Sequence, residues 1–168
     1  MIVATPDVSV VDEAWSILRT IDDPEYPGVS IVDLGLVERV ELVEATLEVD
    51  LIPTFSGCPA LAMIASDVEQ ALGESVVSGA RPGASTDHRF RVVVRWCQAP
   101  VWTTDRLSAF AREQLADAFT VAVHIRGSEP SCPRCGGALV EQSMFGPSRC
   151  RSVARCTQCG ETIETLRS

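Results

Sequence analysis

Basic residues are scarce in this chain: 14 Lys and Arg stand against 23 Asp and Glu, a formal charge of -9. A field of that sign repels phosphate backbones and anionic lipid surfaces, which sets nucleic acid and membrane aside as partners. Also missing is any apolar run near the roughly 20 residues that span a bilayer. Residues 1–15 carry no basic leader ahead of an uninterrupted apolar stretch. The expectation is a cytoplasmic protein. Histidine occurs only as His88 and His124, neither with a companion at metal-ligand spacing, and no Ser-His-Asp or G-x-S-x-G arrangement accompanies them. Nor do Gly35, Gly57 and Gly73 fit a dinucleotide or Walker pattern, so neither hydrolase nor phosphate-cradling chemistry is supported.

What is present suits a packed protein. Hydrophobic content of 46% with 22% charged residues is ordinary for a globular chain, and 168 residues accommodate one domain plus a small appendage. Acidity concentrates in the first half, whereas residues 134–155 are basic. Apolar side chains recur at three and four over residues 8–18, which predicts a helix. Asp22-Asp23-Pro24-Glu25-Tyr26-Pro27-Gly28 follows as a constrained surface loop. Residues 30–43 read as a strand bulged near Gly35, and 45–51 as a half-buried strand. A second helix starts near Pro59. After a turn-rich stretch over 79–88, alternation over 90–96 gives a third strand. A third helix follows, for which Thr103 or Thr104 can serve as cap, and a short strand at 121–125 closes the sheet.

Seven cysteines are the most informative feature. Cys132-Pro133-Arg134-Cys135-Gly136 and Cys156-Thr157-Gln158-Cys159-Gly160 are two C-x-x-C-G hooks with 20 residues between them, a zinc-ribbon spacing. Two thiolates three positions apart can bite one ion from a tight turn, and the following glycine can take positive φ so that amides face sulfur. Four sulfurs leave no position for a substrate, so the zinc is structural. So small a ribbon folds with its metal, and without zinc it is expected to be disordered. A redox disulfide pair or an iron-sulfur centre would use the same four thiols. The chain thus divides into a domain over 1–126, a linker over 127–131 and a ribbon over 132–168.

Three cysteines lie outside the hooks. Cys58 sits between a strand and a helix in Pro53-Thr54-Phe55-Ser56-Gly57-Cys58-Pro59-Ala60, with Pro59 suited to the first helical position. That places its sulfur at about the N-cap, where free amides and the positive helix end stabilise a thiolate. Cys58 is then either a ligand or nucleophile, or a small residue packed beneath the loop. Cys97, at the end of the third strand, reads as core. Cys150, flanked by Arg149 and Arg151, is either an activated thiol or a half-buried spare.

Asp23-Pro24-Glu25, Ser30-Ile31-Val32-Asp33-Leu34-Gly35-Leu36-Val37, Pro53-Thr54-Phe55-Ser56-Gly57-Cys58-Pro59-Ala60 and Trp102-Thr103-Thr104-Asp105 together resemble the metal-sulfur cluster assembly domain. With the cysteine ribbon appended, the chain is similar to the PaaD (PaaJ) family of phenylacetic acid degradation. Arg106 stands where that family often has an aromatic residue. The resemblance implies an α/β (α+β) fold of the iron-sulfur cluster assembly type, a small mixed sheet with helices on one side. It also implies an accessory role beside the phenylacetyl-CoA 1,2-epoxidase, with no catalysis of its own. In that role the protein helps mature an iron-sulfur or di-iron centre, handling transient iron or a cluster. Cys58 is then the thiol that matters, with Asp23, Glu25, Asp33, Thr54 and Ser56 around it. The implied partners are epoxidase components or iron-sulfur assembly machinery, and a homodimer is left open. Two other roles compete: a non-catalytic docking subunit of the oxygenase, and a thiol enzyme that would need His88 or His124 as base.

Overall fold

The structure is a computed structural model that describes residues 7–76, 90–147 and 150–166. Helix α1 (Asp7–Leu18) buries Ala14 and Leu18 completely, the two members of its apolar stripe one turn apart. The Asp-Pro-Glu segment, expected as a loop, is a small hairpin of β1 (Asp22–Asp23) and β2 (Tyr26–Ser30). Its turn is held by side-chain carboxylates: Asp23 Oδ1 accepts from the Glu25 amide at 2.8 Å and Asp22 Oδ2 from the Gly28 amide at 2.8 Å.

Residues 30–43 do not form one bulged strand. A turn over 31–35 separates β2 from β3 (Val37–Val43). Gly35 has φ +69°, and a Cβ there would lie 2.5 Å from Arg106 Cβ, so a residue without a side chain is required. Arg106 packs against this turn. Its guanidinium donates to the carbonyls of Gly35 at 2.8 Å and Val37 at 3.2 Å, and pairs with Glu38 at 2.8 Å.

Strand β4 (Thr46–Leu51) pairs antiparallel with β3 and parallel with β5 (Arg91–Trp96), a mixed sheet in the order β3-β4-β5. A parallel pair needs a crossover, which contains α2 (Leu61–Val76). Ile64, Val68 and Leu72, four apart, are the buried face of α2. Helices α1 and α2 pack on each other, α1 on β3 and α2 on β5, so the helices lie to one side as expected. Away from them Arg39 and Arg95 bracket Asp50 at 2.8 and 3.0 Å.

The third helix, α3 (Ala109–Asp117), is capped by Ser108, whose Oγ accepts from the Ala111 amide at 3.0 Å. Neither expected threonine has that role: Thr103 precedes a single 3-10 turn (Thr104–Arg106), and buried Thr104 donates to the His124 carbonyl at 2.5 Å. The strand expected to close the first sheet, β6 (Val121–Val123), instead pairs parallel with β9 (Thr162–Leu166) of the ribbon. The second sheet runs β6-β9-β8-β7, with β7 (Leu139–Ser143) and β8 (Arg151–Cys156). Val121 and Leu166 join the main core, while Ala122, Cys132, Cys156 and Ile163 form a smaller one.

Candidate functional site

The two hooks close on each other. Gly136 and Gly160 both take φ +73°, and their amides donate to the carbonyls of Cys132 at 2.8 Å and Cys156 at 3.1 Å, two copies of one turn. The four sulfurs lie within 4.8 Å of one another, with Cys132 to Cys159 at 3.8 Å and Cys135 to Cys156 at 3.4 Å. Sulfurs bound tetrahedrally at the usual zinc distance stand about 3.8 Å apart, so the quartet fits a single zinc-sized ion. Gly137 admits this closeness, since a Cβ there would come 3.0 Å from Cys156 Sγ. The amides of Cys159 and Gln158 press the Cys156 thiol down to about 6. Cys159, although the Glu161 amide pulls it down, is pushed up to about 12 by neighbouring thiols, Cys156 foremost. Cys132, Cys135, Cys156 and Cys159 are thus a four-thiol metal-binding site.

The second feature centres on Cys58. It lies three residues before α2, in a turn where its amide donates to the Phe55 carbonyl at 3.1 Å and its carbonyl accepts from Leu61 at 3.4 Å. The sulfur is half-buried, at the meeting of two cavities. The outer one, about 260 Å³, is lined by Glu25, Phe55, Gly57, Pro59, Pro147 and Cys150 besides Cys58. The inner one, about 20 Å³, brings in Asp23, Tyr26, Thr54 and Leu166. The thiol is not sealed in the interior.

The expected depression of its pKa is not found. Burial pushes the Cys58 thiol up, the Ala60 amide opposes this, and the charges of Glu25, Cys150 and Asp23 push it further up. Helix α2, expected to start near Pro59, begins at Leu61, so Cys58 is not its N-cap and burial outweighs the one amide that faces its sulfur. Asp23 is itself raised, by burial above all, so this pocket disfavours anions unless a cation joins them.

Asp23, Glu25, Thr54 and Cys58 are brought together. Ser56 turns to a different cavity of about 370 Å³ beside Cys97, Pro100 and Trp102. Cys97 packs partly buried on the main core. Asp33 faces α3, where its carboxylate accepts from Ser30 Oγ at 2.6 Å and Ser108 Oγ at 2.7 Å. His124 lines a cavity against Ser152 and Thr165, and His88 lies outside the described residues, so no described histidine borders the Cys58 cavities.

Three further residues stand at this site although nothing in the sequence assigns them to it. Cys150 enters it from the turn just before β8, its thiol 3.8 Å from Glu25 Oε2 although 125 positions away in sequence. Arg151 pairs with Glu25 at 3.4 Å and Glu164 at 2.5 Å, and lies 5.0 Å from the centre of the Tyr26 ring. Tyr26 is 3% exposed, and among the described residues its hydroxyl has no hydrogen-bond partner. Only the bracketing arginines mark Cys150 in the sequence, and nothing local joins it to Glu25.

Among the described residues no helix is long and apolar enough to cross a membrane. Residues 12–80 match the iron-sulfur cluster assembly protein family, and residues 119–167 match the PaaD zinc beta ribbon domain. Over 162 residues the chain is 31% identical to an Escherichia coli (strain K12) protein described as one subunit of a "Putative 1,2-phenylacetyl-CoA epoxidase", covering 92% of this chain and 90% of that one. Among solved structures, a domain of unknown function, DUF59, from Bacillus anthracis superposes with a TM-score of 0.56 at 28% identity, over 66% of this chain and 95% of the domain. The fold and the resemblance expected from the motifs are both borne out.

Proposed function

The chain belongs to the family of that Escherichia coli epoxidase protein, and from this premise we propose that it is an accessory protein of a phenylacetyl-CoA epoxidase system, assisting maturation of an iron-sulfur or di-iron centre through Cys58. The observation that carries this role is the company Cys58 keeps: two carboxylates and an open cavity of about 260 Å³, with no described histidine beside it. Burial first, and then its carboxylate neighbours, push the Cys58 thiol up rather than down, the opposite of what an activated thiolate nucleophile shows. The same acidic setting receives a cation well, because a metal ion repays the cost of bringing thiolate and carboxylate together. Iron or a cluster is here the cargo, and zinc in the ribbon is structural, held by Cys132, Cys135, Cys156 and Cys159.

The test is Cys58→Ala in cells that make the oxygenase. The substitution is expected to leave folding and zinc content unchanged while lowering the iron content of the purified oxygenase. Unchanged iron in that background refutes maturation through Cys58. A stable stoichiometric complex with the oxygenase, insensitive to Cys58→Ala, points instead to a docking role.

A further inference from the structure

The Cys58 cavities do not belong to the first domain alone. Cys150, from the edge of the ribbon, borders both of them together with Glu25 and Cys58. Its thiol is directed at Glu25 Oε2, 3.8 Å away. Behind these groups the Tyr26 hydroxyl is buried with no hydrogen-bond partner among the described residues, beside an inner space of about 20 Å³. That volume holds about one water molecule or one bare ion, and a buried phenol lacking a partner costs free energy unless something in that space accepts from or coordinates to it.

We propose that Cys58 and Cys150, with the Glu25 carboxylate, form a second metal site that takes one thiophilic divalent ion, iron in the maturation role, between the first domain and the ribbon. The proposal rests on that role for the identity of the ion, though not for the ligand set. Two thiolates and one carboxylate are a mixed soft and hard donor set suited to borderline ions such as iron(II), cobalt(II) and zinc(II). As the ion enters, two metal-sulfur bonds form and the two thiol protons pass to solvent, with no electron transferred. Arg151, paired with Glu25 at 3.4 Å and Glu164 at 2.5 Å, holds the carboxylate at the cavity wall.

The two metal sites differ in readiness. Among the described residues the ribbon quartet is the only group of three or more such side chains already converged to metal-holding distance. The Cys58 site has to draw its donors together around the ion and borders an open cavity, so it holds its ion more weakly than the ribbon holds zinc. Weak, accessible binding is what a carried ion requires.

Zinc-loaded full-length protein is titrated anaerobically with cobalt(II), and thiolate-to-cobalt charge-transfer absorption is recorded for wild type, Cys58→Ser, Cys150→Ser and the double variant. The double variant sets the baseline, so cobalt exchanged into the ribbon is subtracted, and zinc content and thermal unfolding verify that each variant is folded. Each single variant is expected to lose about half of the wild-type signal, one thiolate of two, and to bind at least about tenfold more weakly. A mild chelator is expected to remove this cobalt while zinc stays. Wild-type signal and affinity in Cys150→Ser overturn the two-thiol site and leave maturation through Cys58 standing. Absence of any signal above baseline in wild type also overturns the site, and maturation is then decided by oxygenase iron content alone. Unchanged oxygenase iron with Cys58→Ala, alongside halved cobalt signals, removes the maturation role and keeps the site.

Discussion

A half-buried thiol beside two carboxylates behaves differently from one at a helix tip, and Cys58 is of the first kind. Its pKa is raised, by burial first and then by Glu25, Cys150 and Asp23, so near neutral pH the protonated form prevails and the thiolate fraction grows only above the ordinary thiol range. Alkylation at Cys58, followed by mass spectrometry, is therefore expected to be slower at pH 7 than that of an exposed thiol and to climb steeply as pH rises. Glu25→Gln removes one of the charges holding the proton on, shifts the profile to lower pH and speeds the reaction at neutrality. An alkylation profile that Glu25→Gln leaves unmoved would show that Glu25 is electrostatically silent at this sulfur. The limit of legibility lies in the same residue. Pro59 and the strand-to-helix context place Cys58 correctly before α2, but the sign of its pKa shift depends on a carboxylate from the hairpin and a thiol from the ribbon, which no local pattern reveals.

At the level of elements, stripes and alternation locate α1, α2, β4 and β5 because each buries one face and so writes its period into the sequence. Pattern misleads where chain geometry, not burial, decides. Gly35 reads as a bulge inside one strand, whereas its φ of +69° ends a turn against Arg106. Three hydroxyls precede α3, and sequence alone favours Thr103 or Thr104 as its cap, since only tertiary partners choose among them. Ser108 has those partners: its amide donates to the Asp33 carbonyl at 2.9 Å, its Oγ donates to the Asp33 carboxylate at 2.7 Å and accepts from Ala111 at 3.0 Å. The pair thus ties the turn after β2 to α3. Ser108→Ala removes a cap and leaves a partly buried carboxylate short of a donor, an expected loss of about 1 to 3 kcal/mol in urea unfolding. Thr103→Ala, with no side-chain cap bond to lose, is expected to change stability much less.

For the whole molecule, the consequential fact is that the metal ribbon shares a sheet and a core with the first domain. Hydrogen bonds from β6 to β9 and the packing of Leu166 in the main core join them, Cys150, just before β8, borders the Cys58 cavities, and Arg151 pairs with Glu25. The hooks are plain in the sequence, because metal ligation demands fixed spacing. Their attachment is not, because parallel pairing of Val121–Val123 with a strand at the far end of the chain leaves no sequence period. Metal binding is most of the folding free energy of so small a ribbon, on the order of 10 kcal/mol, so a strong chelator at neutral pH should unfold β7, β8 and β9. The first domain, whose core is built mainly by α1, α2, α3 and β3 to β5, should persist. Hydrogen exchange would then rise selectively in 132–166, and Cys58, deprived of the wall that Cys150 and Leu166 supply, would be alkylated faster although it lies in the domain that stays folded. Zinc returned to the sample should restore both protections together. Ribbon amides that stay protected after complete zinc removal would show that packing on the first domain holds the ribbon without its metal, and would sever zinc from any influence over Cys58.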